Sequence, residues 1–200
     1  MSAQPPGSAT SRRDAILDAA VALFRERGFH SVGIDEIGTA AGISGPGVYR
    51  HFPSKGSLLV SLFDSITERM LIAAEEIRKA DSEPEEVLDR LVAFHVATAV
   101  EERALLAVWI QDWRSLPVAD QHRIRHRQAE YVGVWVSALV KVRPELAPAD
   151  AETVVHAALG AVNSVAFHDA GLPSAPLVTL VAAIARSVLR TGGKEARGAG

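Results

Sequence analysis

Residues 34–55 read Ile-Asp-Glu-Ile-Gly-Thr-Ala-Ala-Gly-Ile-Ser-Gly-Pro-Gly-Val-Tyr-Arg-His-Phe-Pro-Ser-Lys. Ile34, Ile37 and Ala41 fall at helical spacing before a break at Gly42-Ile43-Ser44, and Val48 and Phe52 fall at helical spacing after it. Two short helices therefore share one small apolar seam. Gly42 suits a sharp stop that needs positive φ. Ser44 offers its hydroxyl to an orphan amide of the next turn, and Pro46 is tolerated there because its missing N–H costs nothing. The pattern predicts a helix-turn-helix whose second helix presents Tyr49, Arg50 and His51 outward, with Lys55 just beyond Pro53. Such side chains suit phosphates and base edges.

Upstream, Ile16, Ala19, Ala20, Leu23 and Phe24 mark one face of a helix over about residues 11–27, ended by Gly28. Residues 1–10 are polar, Pro/Gly-rich and without periodicity, and are expected to form a disordered arm. Arg12 and Arg13, at its end, suit either solvated charge at a helix start or contact with phosphate or the minor groove. Downstream, Ser54 caps a long helix to about Lys79, striped by Leu58, Leu59, Leu62, Phe63, Ile66, Met70, Ala73 and Ile77. Further helices are expected over about 85–100, 104–113, 118–142, 149–169 and 175–190, followed by a disordered tail over 191–200. The fold class is all-α, with about nine helices. A three-helix head over 11–55 carries the helix-turn-helix, and a larger helical domain over 56–190 lies behind it.

The formal net charge of −3 argues against a broadly basic nucleic-acid binder. Residues 1–60 carry six Lys/Arg against five acidic side chains, so DNA binding rests on a few placed contacts. Cysteine is absent, which excludes disulfides and thiolate metal sites and agrees with a cytoplasmic location. Neither a signal peptide nor a run of eighteen apolar residues is present, so no membrane partner is expected.

The run Ala-Ala-Gly-Ile-Ser-x-x-x-Val-Tyr-x-His-Phe-x-Ser-Lys-x-x-Leu-Leu over 40–59, preceded by Ala15-Ile16-Leu17-Asp18-Ala19-Ala20-x-x-Leu23-Phe24-x-x-x-Gly28-Phe29, resembles the TetR family of bacterial transcriptional repressors. The resemblance implies a homodimeric DNA-binding protein with an all-helical effector-binding and dimerisation domain. It implies that the last two helices form the dimer interface and that Tyr49, His51 and Lys55 contact phosphate. Gly33 departs from the family's capping Thr or Ser, a role left to Ser31. Gly38 replaces the usual Ala, and Gly45 and Gly47 take positions that often read bases. That leaves Ser44, Pro46, Tyr49, Arg50 and backbone amides to face the DNA.

In the larger domain His95, Trp109, Trp113, Tyr131, Trp135, Asn163 and Phe167 mix aromatic walls with isolated polar groups, the make-up of a small-molecule pocket. Arg123, Arg125 and Arg127, with His122 and His126 between them, form either a solvated helix face or a landing site for a phosphorylated or carboxylated ligand, and Arg127 joins the candidate pocket set. The approach Trp113-Arg114-Ser115-Leu116-Pro117 resembles regulators of lipid metabolism. The i, i+4 pair His122 and His126 has no third ligand and is flanked by cations, so no metal is expected. No phosphate loop, nucleophile elbow or acid/base pair appears, so neither catalysis nor a cofactor is expected.

The residues thus point to a ligand-responsive repressor. It binds a near-palindromic double-stranded operator as a homodimer and is released by a small apolar or amphipathic effector such as an acyl-CoA or another lipid-like molecule. The alternative is a helical sensor or carrier without DNA function.

Overall fold

A computed structural model describes residues 11–80, 82–168 and 171–191, and among them all regular structure is helical. The expected arm over 1–10 and all but Thr191 of the expected tail lie outside the described residues. Helix α1 (Arg12–Arg27) begins at a reciprocal cap: Ser11 Oγ accepts the Asp14 N–H at 3.1 Å while the Asp14 carboxylate accepts the Ser11 N–H at 3.2 Å. It ends at Gly28, whose φ of 77° excludes most side chains. After one 3-10 turn, Phe29–Ser31, comes α2 (Ile34–Ala40). Its first amides are not capped by Ser31 as expected. The Glu36 carboxylate reaches back to accept the Gly33 N–H at 2.7 Å and pairs with Arg27 at 2.8 Å. That backbone hydrogen bond, with Arg27 second, lowers the Glu36 pKa.

Gly42 (φ 69°) makes the turn into α3 (Gly45–Tyr49), where Ser44 Oγ accepts the Gly47 N–H at 3.3 Å. Ser54 likewise caps α4 (Lys55–Lys79), accepting the Ser57 N–H at 3.0 Å. Then follow α5 (Pro84–Glu101), α6 (Arg103–Asp112), a 3-10 turn over Trp113–Ser115, α7 (Val118–Val142), α8 (Pro148–Asn163), a 3-10 turn over Ser164–Ala166, and α9 (Ser174–Arg190). The single helix expected over 149–169 stops at Asn163. Arg103 donates to the Val165 and His168 carbonyls, each at 2.7 Å, so carbonyls past the helix end find a partner in its guanidinium. Asp169 itself lies outside the described residues.

Two apolar cores run along α4. The first gathers Ile16, Phe24, Ile37, Val48, Phe52, Leu58, Leu59 and Phe63, and the fully buried phenylalanines contribute about 1.5–3 kcal/mol each. It does not respect the expected division at 55/56, because Leu105, Val108, Leu116 and Ile124 from α6 to α7 complete it. The second core joins α5, α7, α8 and α9 around Leu91, Val92, Trp135, Leu139, Val155 and Ala185. Helix α4 belongs to both, with Leu58 to Phe63 in the first and Ala74 in the second.

Candidate nucleic-acid interface and ligand cavity

Helices α2 and α3 cross closely because Gly38 has no side chain. A Cβ there would lie 3.1 Å from backbone atoms of Ile43, Ser44 and Gly45. Val48 and Phe52 anchor the short helix inward. Pro46, Tyr49 and Arg50, with Ser44 before them and His51 after, form the exposed edge, and Tyr49 is 54% exposed. These five expected DNA-facing residues lie together on one surface.

Three others do not. Gly45 is buried beneath Asp35, whose carboxylate occupies the place of any added Cβ, and Gly47 is half-buried against Ile43 and the Ser44 hydroxyl. Lys55 turns inward: its Nζ donates to the carbonyls of Phe29 (2.7 Å), Val32 (2.8 Å) and His30 (3.4 Å) and sits 4.5 Å from the Phe29 ring. With three donors on three carbonyls, the ammonium holds the loop between α1 and α2 and has no donor left for a phosphate. Arg13 stacks on Phe52 at 4.4 Å and donates to Ser61 Oγ at 3.2 Å, so it ties α1 to α4. Arg12 remains exposed.

Between α4, α5, α6, α7 and α8 lies a cavity of about 920 Å³. Of the expected pocket residues His95, Trp109, Tyr131 and Asn163 line it. Trp113 instead stacks against Phe63 and Trp109 beside the head core, and Arg127 faces Glu68 on α4. Trp135 is buried behind Tyr131 and His95, and Phe167 points to solvent, 69% exposed. Residues not singled out from sequence also contribute, among them Met70, Glu102, Arg125, Val132 and Val136. Their signal was available as stripes: 95 and 99 on α5 with 102 just past its end, and 125, 129, 132 and 136 on α7, recur at helical spacing.

The polar centre of the wall is a chain of three groups. The Asn163 Oδ1 can only accept, so the His95 Nε2–H at 3.2 Å donates to it. The neutral ring then leaves Nδ1 to accept the Tyr131 hydroxyl at 2.9 Å. Burial pushes the His95 pKa down to about 4 against a smaller opposing effect of Asn163, and burial raises that of Tyr131. The Trp135 indole N–H makes no hydrogen bond of good geometry among the described residues, and its effect on Tyr131, a lowering, is smaller than that of burial. The trio is therefore uncharged at neutral pH. Among the described residues no cluster of three His or acidic side chains is placed to hold a metal.

An exposed recognition helix set on a helical body with an internal cavity defines the class of ligand-binding helix-turn-helix regulators. Residues 16–62 match the family described as bacterial regulatory proteins, tetR family, and residues 81–176 match the tetracyclin repressor-like C-terminal domain. The transcriptional repressor KstR2 of Mycobacterium tuberculosis is 29% identical over 138 residues, which cover 66% of this chain and 67% of that protein. A TetR-family regulator from Bordetella parapertussis superposes with a TM-score of 0.81 at 20% identity, over 92% of this chain and 96% of that one. AibR, solved in complex with isovaleryl coenzyme A and operator DNA, superposes with a TM-score of 0.73 at 18% identity, over 87% and 97%. The chain belongs to the TetR family of transcriptional regulators, whose members are non-enzymatic DNA-binding proteins.

Proposed function

We propose that this regulator is a homodimeric repressor that a small apolar or amphipathic effector removes from its operator. Leu105 carries the reading, because it lies in the head core and in the cavity wall at once, with Ile66 and Trp109 packed on both. A ligand that prefers one arrangement of α6 and α4 necessarily favours one seating of the head. The two heads would enter successive major grooves about 34 Å apart on a near-palindromic site. Ser44, Pro46, Tyr49, Arg50 and His51 would face the DNA.

For the second copy the supporting surface is the outer face of α8 and α9, where Leu180 (50% exposed), Ala183 and Ile184 (44%) on α9 and Ala157 on α8 are exposed. Apolar residues at such spacing on a terminal helix pair are the make-up of a four-helix interface. The repressor sense follows KstR2, and the coenzyme A thioester bound to AibR supports a lipid-like effector. Among the described residues no helix is long and apolar enough to cross a membrane, and a cytoplasmic location is part of this proposal. The test is operator affinity by fluorescence anisotropy as fatty acids, alcohols and acyl-CoAs are titrated in. A fall of tenfold or more with at least one class is the expected result. Unchanged affinity with all three would contradict effector release.

A further inference from the structure

The three arginines of the Arg123–Arg127 run part company in the folded chain. Arg123 pairs with Asp64 and Asp120 and Arg127 reaches Glu68, so two cations a turn apart on α7 match two acids a turn apart on α4. Arg125, two residues from each, lies on the other side of the helix. There it lines the cavity mouth with its guanidinium 5.5 Å over Trp113, and it has no carboxylate partner among the described residues. Glu102, on the same wall, is already held by Arg69 at 2.6 Å, and Glu152 stands 3.9 Å from His156.

The buried side of the cavity has the opposite character. The His95, Tyr131 and Asn163 network consumes both ring nitrogens, the phenolic proton and the Asn163 carbonyl. It leaves the Asn163 amide donors and a lone pair of the phenolic oxygen without a protein partner among the described residues. Met70, Ala99, Leu106, Val132 and Leu159 line the same cavity. An ion placed there would lose its hydration and gain no counter-charge, because the imidazole is neutral. A carbonyl or hydroxyl oxygen would satisfy the amide at no such cost.

From this asymmetry we infer that the cavity takes a bipolar ligand. It is an apolar body with a neutral hydroxyl that accepts from the Asn163 amide and donates to the Tyr131 oxygen, and an anionic group, carboxylate or phosphate, held by Arg125. The inference rests on the reading of the cavity as the effector site. Tyr131 follows Arg125 by six positions on α7, about 9 Å of helical rise, so several carbons separate the two ends. The volume of about 920 Å³ admits a body bulkier than one extended chain.

The test is tryptophan emission, Trp109 being in the wall, titrated with ω-hydroxydodecanoate, dodecanoate, dodecanol and the α,ω-dodecanediol. The hydroxy acid should bind at least tenfold tighter than the acid or the alcohol. Its coenzyme A thioester, compared with the free hydroxy acid, identifies the anion as phosphate or carboxylate according to which binds tighter. Arg125→Gln should weaken the hydroxy acid about tenfold and leave the diol unchanged. Asn163→Leu should erase the advantage of the hydroxy acid over the plain acid. Equal affinity of the wild-type protein for hydroxy acid, acid and alcohol would overturn the inference and leave the cavity reading standing. No change in emission with any probe would overturn both.

Discussion

The carboxylate of Asp112, at the end of α6, accepts the backbone N–H of Phe29 with each oxygen at 3.3 Å, joining the wall of the cavity to the loop that follows α1. Asp112 is only 5% exposed, and the contact is reinforced by a hydrogen bond at 3.0 Å between Ser115 and His30. Burial raises the Asp112 pKa, more than the Phe29 N–H, His30 and Lys55 lower it.

An acid whose folded pKa lies above its unfolded value binds its proton more readily when folded. Its ionisation therefore costs stability as pH rises from the unfolded value of 3.8 through the raised folded one. Asp112→Asn keeps an acceptor for Phe29 and removes that cost. It should be neutral to stabilising at pH 7 and progressively less favourable, relative to wild type, toward pH 4. Asp112→Ala orphans the buried amide and should cost about 1–3 kcal/mol. Denaturant melts of the three proteins across pH check both.

His95 has the reverse sign. Its folded pKa of about 4 lies below the ordinary histidine value of 6.5, so the unfolded chain binds the proton first as pH falls. The stability contributed by the neutral imidazole is complete above pH 6.5 and is lost on descent through pH 4, by about 3 kcal/mol. His95→Gln should flatten the melting temperature between pH 7 and 4.5 relative to wild type. Parallel profiles would show that His95 is not the group responsible.

Gly38 and Gly47 should answer differently to a side chain. Gly38→Val pushes against backbone on α3 at 3.1 Å, and should cost about 1–3 kcal/mol and weaken DNA binding. Gly47→Ala meets its nearest atoms at 3.4 Å or more and should be tolerated in the fold. Thermal melts with anisotropy titrations separate the two.

Tyr49 and Lys55 make a second contrast. Tyr49→Ala should weaken binding to all DNA sequences about equally and leave the melting temperature unchanged, because the ring is exposed. Lys55→Met strips hydrogen bonds from the Phe29 and Val32 carbonyls and should lower stability by about 1–3 kcal/mol. Its log–log salt dependence of DNA binding should keep the wild-type slope, since no phosphate contact is lost.

The helix-turn-helix was legible because its determinants are local. Gly42, Ser44 and Pro46 act within a few residues of the turn they make, and Ser54 starts α4 where its hydroxyl caps it. The inward turn of Lys55 was not legible because its three carbonyls come from a loop more than twenty residues earlier. Helical spacing places Tyr131 and Trp135 on one stripe of α7, and only the packing of α5 and α8 decides that the first lines the cavity while the second is buried behind it. Arg127 and Arg125 differ by the acids facing them on α4, a relationship absent from either segment alone. The membership of Leu105 and Ile124 in the head core was hidden for the same reason.

The account depends most on sequence-selective DNA binding by paired copies of the chain. Capture of sheared genomic DNA by the purified protein at moderate salt, sequencing of the retained fragments and anisotropy on the best of them test it directly. The account predicts a near-palindromic fragment enriched over bulk competitor and saturated by an even number of chains. Retention without sequence preference, or saturation by a single chain, would contradict it.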